Sequence, residues 1–164
     1  MSSHDLGSLV ATCVAIADEK EVSVSLAETT TGGKIGATIA EVSGASRLLE
    51  SSIVAYGFRS RIDLLGVSPD LLDQYGAVSK EAAEAMADGM LQLSNSLLVL
   101  AETGIAGPSG GTLQKPVGLV HLVVKSQRGY VRHRACQFQG NRIDIQQQIV
   151  QHSLQELLTA LRAV

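Results

Sequence analysis

Val22-Ser23-Val24-Ser25-Leu26-Ala27-Glu28-Thr29-Thr30-Thr31-Gly32-Gly33 runs from an alternating apolar stretch into three consecutive hydroxyls and two glycines. Val22 to Ala27 alternates as a strand does. After Gly33, the residues Ile35, Ile39 and Val42 resume helical spacing until Ser43-Gly44 punctuates the chain. A strand, a tight loop and a helix in that order begin an α/β fold.

Working outward, Leu6, Leu9, Val10, Cys13, Val14 and Ala17 recur at helical spacing from Asp5 to about Lys20, so a helix precedes the first strand. Ser51 to Tyr56 reads as a second strand. Short helical turns follow, and Ser79 then caps an Ala- and Met-rich helix reaching about Leu93. Ser96 to Glu102 is a strand running into Gly104-Ile105-Ala106-Gly107-Pro108. Val117 to Lys125 and Tyr130 to Phe138 form a hairpin around Gln127-Arg128-Gly129, and a final helix spans about Asn141 to Arg162. This order predicts a three-layer αβα sandwich with a mixed, mostly parallel sheet. No repeat, low-complexity run or linker divides it, so residues 1–164 are expected to form a single domain.

Composition narrows the function classes. A chain of 164 residues that is 45% hydrophobic and 18% charged has the material for a sizeable core. Thirteen Lys and Arg against sixteen Asp and Glu give a net charge of -3, which offers no global positive field for nucleic acid. Met1 to Leu6 lacks a basic segment followed by an apolar run, and no stretch approaches the ~18 apolar residues of a membrane span. A cytoplasmic protein without nucleic-acid or membrane partners is expected. Cys13 and Cys136 are far apart, without Cys-x-x-Cys spacing, and are expected to be buried thiols. His4, His121, His133 and His152 also lack ligand spacing, so no metal site is read.

Two constellations carry candidate chemistry. In the first, hydroxyls and glycines stand at a strand end directly before a helix. Outward-pointing N–H groups and the helix dipole favour an anion there, and Thr31, Gly32 and Gly33 let it approach. An ordinary capping loop explains the same residues. In the second, Thr103, Gly104, Gly107 and their neighbours to Gly111, followed by Lys115-Pro116-Val117-Gly118, build a shaped loop after an apolar strand, where open α/β sheets hold ligands. Lys115 is not followed by Ser or Thr at a helix start, so this is not a Walker loop.

Tyr56 is expected near the same sheet edge with Arg59 and Arg61 close by, although a boundary aromatic and a solvated basic turn read equally well. Arg142 opens the last helix, where a cation opposes the dipole unless it faces an anion or carboxylate. Lys125, Arg128, Arg132, His133 and Arg134 are read as a charged sheet edge that blocks strand pairing.

The two motifs, in this order and at this separation, resemble the CinA C-terminal domain family, whose pattern runs approximately Ala-Glu-Ser-Cys-Thr-Gly-Gly, then Ser/Thr-Gly-Ile-Ala-Gly-Pro and Lys-Pro-Val-Gly. Ala27-Glu28, Thr31-Gly32-Gly33, Tyr56, Gly76-Ala77-Val78-Ser79, Thr103 to Pro108, Gly110-Gly111, Lys115 to Gly118 and Gly140-x-Arg142 fall in register across nearly the whole chain. The resemblance implies a metal-free, cofactor-free amidohydrolase of pyridine-nucleotide recycling. Its reaction converts nicotinamide mononucleotide to nicotinic acid mononucleotide and ammonia. The resemblance also suggests a homodimer. The resemblance puts Thr29 at the position of the nucleophilic Ser, with Tyr56 as proton-transfer partner, Thr103 and Lys115 positioning substrate, and Arg61 and Arg142 pairing the phosphate.

The chain departs from the family at four places. Thr29 replaces Ser, adding a methyl that narrows the rotamers of the nucleophile. The family's Tyr-Ser-Asn-x-x-Lys reads Tyr56-Gly57-Phe58-Arg59-Ser60-Arg61, so Phe58 replaces an Asn and Arg61 a Lys. Arg stays protonated at working pH and cannot serve as the base. Gln146 stands where a second Arg is frequent. The alternative expectation is a catalytically degenerate relative that binds a pyridine nucleotide without turning it over. A partner role in competence, suggested by the family name, is opposed by the acidic balance wherever direct DNA contact is needed. The separate N-terminal domain of full-length CinA proteins is not expected in this chain.

Overall fold

A computed structural model describes the backbone from Ser3 to Val164 and side chains from Leu6 onward. The readings of Met1-Ser2 and of the His4 side chain lie outside the described residues. The elements in chain order are α1 (Ser3–Lys20), β1 (Val24–Glu28), α2 (Lys34–Ala40), β2 (Leu49–Val54), α3 (Phe58–Leu65), α4 (Pro69–Tyr75), α5 (Lys80–Leu93), β3 (Leu98–Gly104), β4 (Leu119–Ser126), β5 (Val131–Gln137) and α6 (Arg142–Ala163).

The five strands form one sheet in the order β2-β1-β3-β4-β5. β1 pairs parallel with both β2 and β3, while β4 runs antiparallel to β3 and β5. Only β4 is reversed, so the sheet is mixed and mostly parallel, as expected. α1, α2 and α6 cover one face through Val10, Cys13, Ile35, Ile39, Leu154 and Leu157. α3, α4 and α5 cover the other through Leu65, Leu72, Met86 and Met90. That is the three-layer αβα sandwich.

Local chemistry explains the element ends. Ser79 Oγ accepts from Ala82 N at 3.0 Å and starts α5. Asn141 and Asp144 form a reciprocal capping box at the start of α6. β1 is buried at every residue because helices lie on both faces. β2, at the sheet edge, alternates between half-buried and exposed.

Several expectations need correction. The short helical turns are two helices, α3 and α4, of eight and seven residues. β3 runs beyond Glu102 to Gly104, because its ladder with β4 continues through Thr103 opposite His121 and Gly104 opposite Val120. Cys13 is buried and its thiol pKa is pushed up to about 12 by burial, but Cys136 is only half-buried, since β5 is an edge strand. Arg132 and Arg134 do not merely solvate that edge: both guanidinium Nε atoms bond the buried carboxylate of Glu156 on α6, Arg134 at 2.8 Å. His121 and His133, unrelated in spacing, meet across the hairpin with Nδ1 and Nε2 3.0 Å apart. Among the described residues no helix is long and apolar enough to cross a membrane.

β1 and β3 lie side by side, yet β1 continues through α2 on one face and β3 is reached through α5 on the other. The loops at their C-terminal ends therefore diverge and leave a crevice, the usual ligand position in an open α/β sheet.

Candidate active site

The crevice holds a cavity of about 250 Å³ lined by Thr29, Thr30, Tyr56, Arg61, residues 104–107, Ser109, Gly110 and Arg142. Four chain segments meet there: the end of β1, the start of α3, the loop after β3 and the start of α6. Among the described residues no acid lines it, while two guanidiniums do.

The threonine loop is held from below. Glu102, fully buried at the end of β3, accepts through Oε1 from Thr29 N at 2.7 Å and Thr31 N at 3.0 Å, and the Thr31 hydroxyl, 2.8 Å from that oxygen and 2.6 Å from Glu28 Oε2, has one proton to share between the two carboxylates. Thr29 Oγ1 donates to the Glu102 carbonyl at 3.1 Å and lies 3.3 Å from Thr30 Oγ1. Gln146 on α6 donates from Nε2 to Thr30 O at 2.8 Å, and its Oε1 accepts from Lys34 Nζ. Burial raises the pKa of Glu102, opposed by the hydrogen bonds from Thr31 and Thr29 and by the nearby Thr30 hydroxyl, all of which favour its charge.

The expected free helix N-terminus is not available to a ligand. Glu28 occupies it, accepting from Ile35 N at 3.0 Å and Gly36 N at 2.8 Å, with Thr31 Oγ1 and Ser52 Oγ completing its shell. A carboxylate there satisfies orphan donors and meets the positive end of the dipole. Gly32 and Gly33 turn the loop with φ of 64° and 96°, in the left-handed region where a Cβ is costly, and neither lines the cavity. Thr31 is likewise beneath the cavity floor.

Arg61 is 6% exposed yet lines the cavity. Its Nη1 donates to Ala77 O and, at 3.1 Å, to Thr103 Oγ1, and Thr103 Oγ1 donates to Ala77 O at 2.7 Å. Thr103 thus holds Arg61 rather than facing the cavity. Burial lowers the pKa of Arg61, and the Glu102 charge opposes that lowering. Arg142, expected to face an anion or a carboxylate, donates to Gly107 O at 2.8 Å and to Tyr56 Oη at 2.6 Å. Gly107 (φ 74°) and the cis bond to Pro108 shape the opposite wall beside Gly104. Lys115 is not at the cavity; its Nζ bonds Tyr75 O, tying the Gly-rich loop to the negative end of α4.

The structure therefore brings Thr29, Tyr56, Arg61, Gly104, Gly107 and Arg142 together and leaves Thr31, Gly32, Gly33, Thr103 and Lys115 behind or beside the wall. Sequence reasoning did not single out Glu102 or Thr30 as site residues. A lone acid ending the apolar run Leu98 to Ala101, directly before a Gly-rich loop, was the available signal for Glu102. Among the described residues no group of three or more His, Cys, Asp or Glu is arranged to hold a metal ion.

The cavity of this three-layer α/β domain, with Thr29, two arginines and a Gly-rich wall in its lining, lies at the switch point of the sheet, where open α/β sheets hold ligands. The chain belongs to the CinA C-terminal domain family, which it matches over residues 7–161. It is 42% identical over 145 residues to a CinA-like protein of Endomicrobium trichonymphae, covering 88% of this chain and 34% of that one. A putative competence-damage inducible protein of Desulforudis audaxviator is 48% identical over 109 residues, or 66% of this chain and 26% of that one. The chain thus spans about a third or less of the length of these curated relatives. The crystal structure of the competence/damage inducible protein CihA from Agrobacterium tumefaciens superposes with a TM-score of 0.92 at 37% identity, covering 96% of each chain.

Proposed function

We propose that this chain hydrolyses the carboxamide of nicotinamide mononucleotide, giving nicotinic acid mononucleotide and ammonia, with Thr29 as nucleophile. The observation that carries the reading is Thr29 in the wall of a cavity whose charged lining groups, among the described residues, are Arg61 and Arg142. Such a cavity suits a ligand with an anionic phosphate at one end and an acyl carbon at the other.

In the reaction, Thr29 Oγ1 bonds to the carboxamide carbon and its proton leaves for a base. The tetrahedral intermediate collapses, the C–N bond breaks and ammonia departs with a proton. Water then cleaves the acyl-threonine. Ile105 N donates to Leu119 O and Gly104 lies in the β3–β4 ladder, so the amides of Ala106 and Gly107 are the candidate donors for the developing oxyanion. Tyr56 Oη accepts from Arg142, which leaves its own proton free for the substrate. Arg142 and Arg61 pair the phosphate.

The test is incubation with nicotinamide mononucleotide, quantifying nicotinic acid mononucleotide and ammonia beside a Thr29→Ala control. Product that vanishes in the control supports the reading. Thr29→Ala turning over as fast as the parent refutes the nucleophile, and no product at high enzyme concentration refutes the deamidase.

A further inference from the structure

The proposed reaction needs a proton acceptor, and among the described residues the cavity wall supplies none of the usual ones. Its ionisable groups are Tyr56, Arg61 and Arg142, and a guanidinium does not give up its proton at working pH. The carboxylates lie one layer down, and the two are not alike. Glu28 uses both oxygens: Oε1 accepts from Gly36 N and Ser52 Oγ, Oε2 from Ile35 N and Thr31 Oγ1. Glu102 gathers the Thr29 and Thr31 amides and a share of the Thr31 hydroxyl on Oε1 and leaves Oε2 buried without a hydrogen-bond partner. A buried acceptor left open is rare and costs on the order of 1–3 kcal/mol, so a scaffold role alone leaves Oε2 unexplained.

Thr30 lines the cavity beside Thr29 and is the cavity-lining hydroxyl that also acts on the Glu102 carboxylate. Its Oγ1 is 3.3 Å from Thr29 Oγ1, and its hydroxyl favours the charged form of Glu102 without closing a hydrogen bond to Oε2. Its backbone is pinned by Gln146 Nε2 at 2.8 Å. A hydroxyl that can accept from one neighbour while donating to another is a one-step proton relay.

We propose that Glu102 is the proton store of this site, drawing the Thr29 proton through the Thr30 hydroxyl. The inference rests on the Thr29 nucleophile reading and supplies its missing base. As Thr29 Oγ1 leaves the Glu102 carbonyl and bonds to the acyl carbon, its proton passes to Thr30 Oγ1, and Thr30's own proton passes to Glu102 Oε2 once that hydroxyl rotates toward the open oxygen. When the C–N bond breaks, the same route returns one proton to the departing amine. Glu102 touches neither substrate nor reacting atom and acts only through Thr30, so it is a positioning residue in this scheme. Burial makes its carboxylate a stronger base than one at the surface.

The test uses p-nitrophenyl acetate as a probe of Thr29, so that it does not depend on the nucleotide. Acylation is followed by p-nitrophenolate release and located by peptide mass, across pH, in the parent, Glu102→Gln, Thr30→Val and Thr30→Ser. Gln keeps an Oε1 for the Thr29 and Thr31 amides but cannot take a proton. The expected result is an acid limb in the parent above the ordinary carboxylate range. Glu102→Gln and Thr30→Val are expected to slow acylation by on the order of 10²-fold and abolish that limb, while Thr30→Ser retains both. A thermal melt checks folding, and if Glu102→Gln is unfolded, Thr30→Val decides, because it leaves both carboxylates in place. Glu102→Gln and Thr30→Val that match the parent with the limb intact overturn the relay, as does failure of Thr29 to acylate in the parent. Normal acylation without nucleotide turnover refutes the deamidase reading and leaves the relay standing; turnover with an unchanged limb in both variants refutes only the relay.

Discussion

Replacing Gly89 by alanine tests how the packing of α3 on α5 holds Arg61 in the cavity. Gly89 lies in the middle of α5, and helix propensity alone says that alanine there gains about 1 kcal/mol. The tertiary contact says otherwise. A Cβ on Gly89 would stand 1.8 Å from Leu65 O, 2.7 Å from Leu65 C and 3.1 Å from Leu65 Cα, all backbone atoms at the end of α3. A tolerable carbon-to-oxygen contact is about 3.3 Å, so α3 has to retreat by roughly 1.5 Å. Overpacking costs about 1–3 kcal/mol, and a clash with backbone sits at the upper end. Set against the propensity gain, the net loss is about 2 kcal/mol, which lowers Tm by roughly 4–8 °C in a chain of this size. Arg61 is one turn before Leu65 and is pulled off Ala77 O and Thr103 Oγ1 by the same movement, so turnover falls further than stability does. Urea and thermal unfolding measure the first effect and the deamidation assay the second. A Gly89→Ala protein as stable as the parent, or more stable, refutes the reasoning.

Other perturbations separate the parts of the site. Thr31→Val removes the hydroxyl that serves both Glu28 and Glu102, and is expected to cost roughly 2–3 kcal/mol in urea unfolding, while Thr31→Ser recovers most of it. Arg142→Ala is expected to raise KM for the phosphorylated substrate by about 10–100-fold, with little effect on an unphosphorylated nicotinamide riboside; an equal effect on both would remove Arg142 from phosphate binding. Burial lowers the pKa of both His121 and His133, and Lys115, Lys80, Glu81 and Glu84 face the pair. The unfolded chain therefore binds more protons than the folded one below the ordinary histidine pKa of 6.5. The pair's contribution to stability is complete above that pH and declines as pH falls through it. Comparing unfolding free energies of the parent and His133→Gln across that window isolates the pair from the buried Glu102, whose raised pKa acts in the opposite direction; identical pH slopes would show that the rings contribute nothing.

The order of elements, the three layers and the family were legible in the sequence because each rests on local information. Apolar periodicity distinguishes strand from helix, Ser79 and Asn141 mark helix starts by their own side chains, and Gly32-Gly33 and Gly104 to Gly111 punctuate where the chain must turn. Thr29, Tyr56, Arg61, Gly104, Gly107 and Arg142 were also within reach, since residues at strand ends and helix starts on one side of an α/β sheet converge. Only the tertiary structure decided which of the motif's polar groups serve the fold. Thr31 and Thr103 face inward to Glu28, Glu102 and Arg61, and Lys115 reaches Tyr75, because each of those buried or terminal groups needs a partner that lies dozens of residues away or on another element. The open oxygen of Glu102 was invisible for the same reason. Whether a buried carboxylate is fully partnered depends on the donors that three-dimensional packing brings to it, and one-dimensional spacing does not encode that count.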